Sequence, residues 1–251
     1  MTDAVATVTL NRPDALNALT IELKEAFRDA HGQVRRDRSV RAVILTGAGR
    51  AFCAGQDLRE RREPGAPPLD VVLRERYNPI VRAMAGLGVP IVAAVNGVAA
   101  GAGVSLALAA DIRIAADGAS FVLAFGRIGL VPDSGLTWFL PRIVGPAKAA
   151  ELALLGEPLS AEEALRLGLV SRVVPADGLV GEARSIATRL AAGAPIANAL
   201  TKRALRRALE SDLDATLDYE ATLQGIAGRT ADHAEGLTAF AKRRPPRFRG
   251  E

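Results

Sequence analysis

The sequence contains few of the residues that build disulfides and metal sites. Its 251 residues include one cysteine, Cys53, and two histidines, His31 and His233. One cysteine cannot form an internal disulfide or supply the thiolates of a zinc site, and two distant histidines argue against a histidine-rich metal centre. Aromatic residues make up only 4% of the chain. We therefore expect no metal and a core of aliphatic side chains.

The chain also lacks the apolar segments of membrane proteins. No apolar run approaches the ~20 residues of a membrane span. Residues 1–10 alternate like a strand, and they lack the basic segment and apolar core of a signal peptide. We expect a cytoplasmic protein that has no membrane partner. The net charge of +4 makes a polyanion a candidate ligand, but the basic residues are mostly dispersed, and no nucleic acid is expected.

Short apolar runs alternate with helical patterns over the first two-thirds of the chain. Strands are predicted at residues 4–10, 41–46, 90–95, 111–116, 120–122 and 168–174. Helices are predicted at residues 20–36, with Thr20 as the N-cap, and at residues 69–86. From residue 178 onward the pattern predicts helices alone, at roughly 178–192, 195–210, 212–228 and 231–241. This order predicts an α/β fold, with a core at 1–194 and a helical C-terminal section at 195–251.

Two loops of small residues follow predicted strands. Residues 51–58 read Ala-Phe-Cys-Ala-Gly-Gln-Asp-Leu, and residues 96–105 read Asn-Gly-Val-Ala-Ala-Gly-Ala-Gly-Val-Ser before an apolar helix. Small side chains leave backbone N–H groups uncrowded, and such groups can stabilise an oxygen that gains negative charge. A tight turn explains the first loop equally well. The glycine spacing of the second loop fits neither a dinucleotide fingerprint nor a Walker loop.

A lone acid, Asp133, lies in the turn Val-Pro-Asp-Ser-Gly that precedes another helix. An aspartate in that position is often a helix N-cap. The alternative is a general base at the mouth of an apolar pocket. Phe121, Phe125, Trp138 and Phe139 would then desolvate the carboxylate and raise its pKa.

Taken together, these three segments resemble the enoyl-CoA hydratase/isomerase (crotonase) family. The opening Val-Thr-Leu-Asn-Arg-Pro-Asp-Ala-Leu-Asn-Ala-Leu and the closing Phe-Ala-Lys-Arg-Arg-Pro-Pro-Arg-Phe are similar to the ends of that family, so the resemblance spans nearly the whole chain. It implies a repeated ββα spiral core with a helical C-terminal trimerisation section. It also implies an acyl-CoA thioester as substrate, no cofactor beyond the coenzyme A of that substrate, and a homotrimer or hexamer.

The resemblance further implies how the site works. Members of the family hold the thioester oxygen with two backbone N–H groups while an enolate forms, and by motif position these would belong to Ala54 and Ala102. Hydratases of the family use two glutamates, at positions where this chain has Ser105 and, nearby, Phe125. Isomerases and aryl-CoA dehalogenases of the family use an aspartate in the turn that matches Asp133.

We therefore expect an acyl-CoA isomerase in which Asp133 moves protons, either shifting a double bond or isomerising a ring epoxide. The alternatives are a hydratase-like lyase or a dehalogenase-like reaction at the same site, and a non-enzymatic protein that binds acyl-CoA or RNA. Ser105 as a hydrolase nucleophile would need a histidine base. Neither histidine lies near these segments in the sequence.

The remaining predicted positions surround the substrate. The substrate-binding residues are expected to be Arg12, Ala15, Cys53, Gly55, Gln56, Asp57, Leu58, Gly101, Phe125, Leu130, Pro132 and Trp138. Gln56 and Asp57 are expected to order their loop rather than to react. Arg12, Lys242 and Arg243 are candidates for contacts with the phosphates of coenzyme A. Leu136 stands where relatives have a second glycine, and it is expected to narrow the pocket.

Overall fold

Two sheets form the core of the structure, a computed structural model that describes residues 4–251. Within this range the strands are β1 (Val5–Leu10), β2 (Ala42–Gly47), β3 (Ala51–Cys53), β4 (Ile91–Val95), β5 (Val98–Ala100), β6 (Ile112–Ala116), β7 (Ser120–Val122), β8 (Pro158–Ser160) and β9 (Arg172–Val174). The larger sheet is parallel, in the order β1-β2-β4-β6-β9. The smaller sheet has the order β3-β5-β7-β8, and only β8 is antiparallel to its neighbour.

Helices connect and cover these strands. They are α1 (Ile21–Arg36), α2 (Leu69–Val72), α3 (Asn78–Gly86), α4 (Ala102–Ala109), α5 (Leu136–Val144), α6 (Pro146–Leu155), α7 (Ala161–Arg166), α8 (Leu179–Ala191), α9 (Pro195–Ala208), α10 (Leu213–Ala227) and α11 (Ala231–Ala241). A π-helical segment, Leu73–Tyr77, joins α2 to α3 without a break. Short 3-10 turns lie at Pro13–Ala15, Glu60–Arg62, Ala124–Ile128 and Ala176–Gly178.

The strands follow a repeating pattern. In each of the pairs β2/β3, β4/β5 and β6/β7, the first strand joins the larger sheet and the second joins the smaller sheet before the chain continues into helix. The connection between the two strands of each pair therefore crosses from the larger sheet to the smaller sheet. The loops that follow β3, β5 and β7 come together. This arrangement confirms the α/β fold with a repeated ββα spiral that the sequence predicted.

Helix α4 occupies the centre of this arrangement. All eight of its residues are buried, which agrees with a helix that is apolar on every side. Helix α8 packs across β1, β2, β4 and β6 and covers the larger sheet. Helices α9 and α10 pack mainly on each other. No helix within residues 4–251 combines the length and the apolar character that crossing a membrane requires.

Most predicted elements are confirmed, and the errors concern short ones. Thr20 caps α1 by accepting a hydrogen bond from Leu23 N at 3.2 Å, and the four C-terminal helices lie where they were expected. The predicted loops 51–58 and 96–105 each contain a short strand, β3 and β5 respectively. Three-residue strands are too short to leave a periodic pattern, and the sequence therefore missed them. The division at residue 194 stays a prediction, and residues 1–3 of the predicted core lie outside the described range.

A close contact joins α4 to the smaller sheet. A Cβ atom on Gly103 would overlap the backbone carbonyl of Cys53 in β3. Only glycine allows the two backbones to approach this closely. The first turn of α4 is therefore held directly against the end of β3.

We expect Gly103→Ala to destabilise the protein by about 2–3 kcal/mol, because the added methyl group must displace backbone atoms. The free energy of unfolding in urea measures the effect. Gly181→Ala in α8 is the matched control, since a Cβ there meets open space, and it should be neutral or slightly stabilising. Equal stability of the two variants would show that α4 does not lie against β3 as described.

Candidate active site

A cavity of about 450 Å³ lies where the loops after β3, β5 and β7 meet the helical segment 69–77. The predicted residues that line it are Ala54, Gly55, Gln56, Leu58, Gly101, Ala102, Phe125, Leu130 and Asp133. Two grooves of similar volume, one between α9 and α10 and one beside α9, contain none of the predicted site residues. The structure thus brings both small-residue loops and the predicted base together in one cavity.

Six predicted substrate-binding residues do not line the cavity, and their contacts with substrate stay predictions. The residues are Arg12, Ala15, Cys53, Asp57, Pro132 and Trp138. The Arg12 guanidinium pairs with the Asp57 carboxylate at 3.0 Å and donates to the Ala18 carbonyl. Both side chains therefore stabilise the first loop. Cys53 is fully buried, its thiol donates to the Asn17 carbonyl, and burial raises its pKa to about 12.

The remaining departures lie in and beside α5. The Trp138 ring packs edge-on against Phe139 and carries the Arg142 guanidinium 4.3 Å above it. Leu136 is fully buried and does not line the cavity, so the expected narrowing of the pocket is wrong. Of the aromatic side chains expected to desolvate Asp133, only that of Phe125 lines the cavity with it.

The backbone of the first loop offers a different N–H group from the predicted one. The Ala54 N–H donates to the Leu16 carbonyl at 2.9 Å, so the prediction that it faces the substrate is wrong. Leu19 N donates to the Gly55 carbonyl at 2.7 Å, and Asp57 N donates to the Leu19 carbonyl at 3.2 Å.

These two bonds show which way the next N–H points. Backbone groups alternate sides along an extended segment, so the N–H of Gln56 points away from Leu19. It makes no hydrogen bond among the residues that the structure describes, and Gln56 lines the cavity. The sequence could not have selected this donor, because the choice depends on pairing with a segment about 35 residues earlier in the chain.

The second loop supplies the other donor. Helix α4 begins at Ala102, and the first N–H groups of a helix have no partner within it. Gly55 has a φ of +86°, and a Cβ at that position would meet the Ala100 carbonyl at 2.7 Å and Ala102 N at 3.3 Å. Glycine is therefore required here for both conformation and space. The close approach places Ala102 N beside Gly55, whose next residue in the chain is Gln56.

Asp133 is held by its neighbours in the turn. Ser134 Oγ donates to Asp133 Oδ1 at 2.8 Å, and Ser105 Oγ donates to the Asp133 carbonyl at 3.0 Å. Gly135 is the N-cap position of α5, where no side chain makes a capping bond, so the capping interpretation of Asp133 is wrong. Burial raises the pKa of Asp133, and the hydrogen bond from Ser134 lowers it in part.

The sequence predicted a helix at residues 69–86 but did not show that its first part forms one wall of the cavity. Leu69, Val72, Leu73 and Tyr77 all line it, and the last two lie at the ends of the π-helical segment. A π-helical turn carries an extra residue, so it changes which side chains share a face, and such turns are frequent at functional sites. The helical pattern of residues 69–86 contained no signal of it. Arg61 and Arg127 are two further cavity residues that were not predicted.

A cavity lined by a partly desolvated carboxylate and by two residues with unpaired backbone N–H groups is suited to moving protons next to an oxygen that becomes negative. The family profile described as enoyl-CoA hydratase/isomerase matches residues 1–251. The chain belongs to this family, whose members are acyl-CoA enzymes.

Individual relatives carry both kinds of name. The chain is 47% identical to the 1,2-epoxyphenylacetyl-CoA isomerase of Escherichia coli strain K12, with 98% of this chain and 95% of the relative covered. It is 46% identical to a protein of Rhodobacter capsulatus named probable enoyl-CoA hydratase, with 100% and 96% covered. A solved enoyl-CoA hydratase/isomerase of Cupriavidus metallidurans superposes with a TM-score of 0.92 at 38% identity, covering 100% of this chain and 94% of the other.

We expect Ser134→Ala to raise the pKa of the Asp133 carboxyl further. The hydroxyl donates to the ionised form, so its removal leaves burial unopposed and favours the protonated form. Titration of 13C-labelled aspartate carboxyls by NMR measures the midpoint, and Asp133→Asn identifies the signal. Ser171→Ala is the control, because that hydroxyl bonds the Arg113 carbonyl elsewhere. An unchanged midpoint in Ser134→Ala would contradict the expectation.

Proposed function

We propose that this protein is an acyl-CoA isomerase that uses Asp133 as its single acid and base. The observation that carries the proposal is the composition of the cavity. Among the described residues that line it, Asp133 is the only aspartate or glutamate. One carboxylate is enough to take a proton from one carbon and return it to another.

In this proposal the thioester oxygen accepts hydrogen bonds from the N–H groups of Gln56 and Ala102. Asp133 removes a proton from the acyl chain, and the electron pair moves onto the thioester oxygen to give a dienolate. The protonated Asp133 then returns the proton to a different carbon, so the double bond has moved and no atom is gained or lost. Each backbone donor would contribute about 3–4 kcal/mol to the stabilisation of the enolate, and the steps need no cofactor.

The raised pKa of Asp133 supports this role. A general base works best when its pKa lies near the working pH, and burial moves this carboxyl in that direction. The apolar wall of the cavity, which includes Leu58, Leu73 and Phe125, suits a hydrophobic acyl group. Straight-chain 3-enoyl thioesters and the ring epoxide named for the Escherichia coli relative are the two proposed substrate types.

Hydration is the second candidate function, since a relative 46% identical is named as a hydratase. Water addition by two carboxylates would need a second acid beside Asp133. Ser105 stands where the family resemblance puts one such acid, and its hydroxyl is engaged with the Asp133 carbonyl. The same hydrogen bond argues against Ser105 as a hydrolase nucleophile. A hydrolase would also need a histidine base, and no histidine lies among the described cavity residues.

We also propose that the protein forms trimers, which can pair into hexamers. Exposed apolar side chains are concentrated on the C-terminal helices, among them Leu205, Leu209, Leu213, Leu217 and Phe240. Contiguous exposed apolar surface is typical of interfaces between subunits. Light scattering of the purified protein measures the mass, and a monomer at micromolar concentration would contradict the proposal.

Asp133→Asn tests the isomerase proposal. We expect it to lower kcat for double-bond migration about 10³-fold, because it removes the group that moves the proton. The assay follows the ultraviolet absorbance of the conjugated product formed from a 3-enoyl-CoA, and a second assay uses the phenylacetyl ring epoxide. Full activity of the variant would contradict the proposal. So would a wild-type enzyme that isomerises neither substrate and instead adds water to a 2-enoyl-CoA.

The thermal stability of Asp133→Asn is the control for this activity assay. When a carboxyl has a higher pKa in the folded protein than in the unfolded chain, the folded protein loses stability as the pH rises through the folded pKa. Asparagine does not ionise, so the variant avoids this loss of stability, and the amide oxygen can still accept the hydrogen bond from Ser134. The melting temperature of Asp133→Asn at neutral pH should therefore equal or exceed that of the wild type, so lost activity cannot be assigned to unfolding.

A further inference from the structure

The side chain of Gln56 is held from several directions. Its Oε1 accepts a hydrogen bond from Lys24 Nζ at 2.9 Å and a second from the Tyr77 hydroxyl at 2.7 Å. Its Nε2 donates to the Asp57 carbonyl at 3.0 Å. Both lone-pair positions of the amide oxygen are thus occupied by donors from two different helical segments. A glutamine in a cavity wall would otherwise have several rotamers available.

Lys24 is an unusual member of this group. Its residue is only 2% exposed, and among the described residues its ammonium forms no ion pair. Its partners are the neutral Gln56 amide and the face of the Tyr77 ring, whose centroid lies 4.6 Å away. Burial of a lysine without a carboxylate partner is costly. The fold therefore tolerates a penalty here that an apolar side chain would avoid.

Burial lowers the pKa of Lys24 to about 8. The charges of Glu60 and Asp57 raise it in part, and those of Arg76 and Arg61 lower it further. The side chain is thus still largely protonated at neutral pH. Its ammonium donates toward the loop that carries the Gln56 N–H.

Other contacts already attach this loop to the N-terminal part of the chain. The Glu60 carboxylate accepts from Ile21 N at 2.9 Å, and the Arg12 guanidinium pairs with Asp57. Anchoring alone therefore does not require a buried lysine. The contacts of Lys24 and Tyr77 differ from these because they reach the side chain of the residue whose own backbone N–H faces the cavity.

We propose that Lys24 and Tyr77 are positioning residues that hold the Gln56 side chain and thereby keep the Gln56 backbone N–H directed at the reacting oxygen. The inference rests on the proposed function, in which that N–H stabilises the enolate. A displaced donor loses most of its effect, since oxyanion stabilisation requires donors within hydrogen-bond distance of the oxygen. Tyr77 takes this position through the π-helical segment that ends at it.

A double-mutant cycle tests the proposal. Lys24→Met removes the ammonium and keeps the aliphatic bulk, whereas Gln56→Ala removes the held side chain and keeps the backbone N–H. We expect each change to lower kcat for isomerisation about tenfold with little change in KM, since a modest misplacement of a donor costs less than its loss. The double variant should be no slower than Gln56→Ala alone, because both changes release the same donor.

The infrared C=O stretch of a bound saturated acyl-CoA supplies a second readout that needs no turnover. Two hydrogen bonds to the thioester oxygen should lower this frequency in the wild type, and the lowering should be smaller in Lys24→Met and in Gln56→Ala. Asp133→Asn should keep the wild-type frequency. A protein that moves no double bond but shows this pattern would disprove the isomerase reaction and still support the positioning role.

Two further variants keep the test decisive. Lys148→Met, on α6 and paired with Glu151, is the control and should leave kcat and the C=O frequency unchanged. Tyr77→Phe removes one hydrogen bond and keeps the ring, so it applies even if Lys24→Met does not fold, and we expect a loss of about threefold that is absent in the Gln56→Ala background. The proposal is wrong if the losses multiply in the double variants, or if kcat falls while the C=O frequency stays at the wild-type value.

Discussion

The site depends on the close approach of the first turn of α4 to the end of β3. Gly103 allows the helix to lie against the Cys53 carbonyl, and Gly55 allows the first loop to pass beside Ala102 N. Hydrogen-bond donors can act on one small oxygen only if their backbones come within a few ångströms of each other, and side chains at these positions would keep them apart. The ββα repeat supplies the same geometry on a larger scale, because it delivers the loops after β3, β5 and β7 to one place.

Two ionisable side chains near this contact, the buried Lys24 and the half-buried Asp133, have no ion-pair partner among the described residues. Burial raises the pKa of Asp133 and lowers that of Lys24, so the folded protein resists the charged form of each. Asp133 lines the cavity, and Lys24 donates a hydrogen bond to Gln56, which lines it too. Shifted pKa values of this kind are characteristic of functional sites, where stability is sacrificed for an environment that suits the reaction.

The sequence was most successful where local signals are strong. Amphipathic periodicity and a threonine cap defined α1, and the same periodicity located the four C-terminal helices. Prediction from the sequence was least successful for the three-residue strands and for the π-helical segment, since neither has a distinct period. The ion pair between Arg12 and Asp57 was missed for a different reason. Their charges satisfy each other across 45 residues, and charge pairing at that separation leaves no local pattern.

The sequence by itself determined the family and the two small-residue loops, because both are carried by consecutive residues in a recognisable order, and it supplied the proposed acid, Asp133. Only the tertiary structure decided which backbone N–H groups are unpaired. The Ala54 N–H donates to the Leu16 carbonyl, whereas the Gln56 N–H has no hydrogen-bond partner among the described residues. It likewise decided that Lys24 and Tyr77 meet on the Gln56 side chain. A backbone donor is free or occupied according to what packs beside it, and in this fold those partners come from segments tens of residues away.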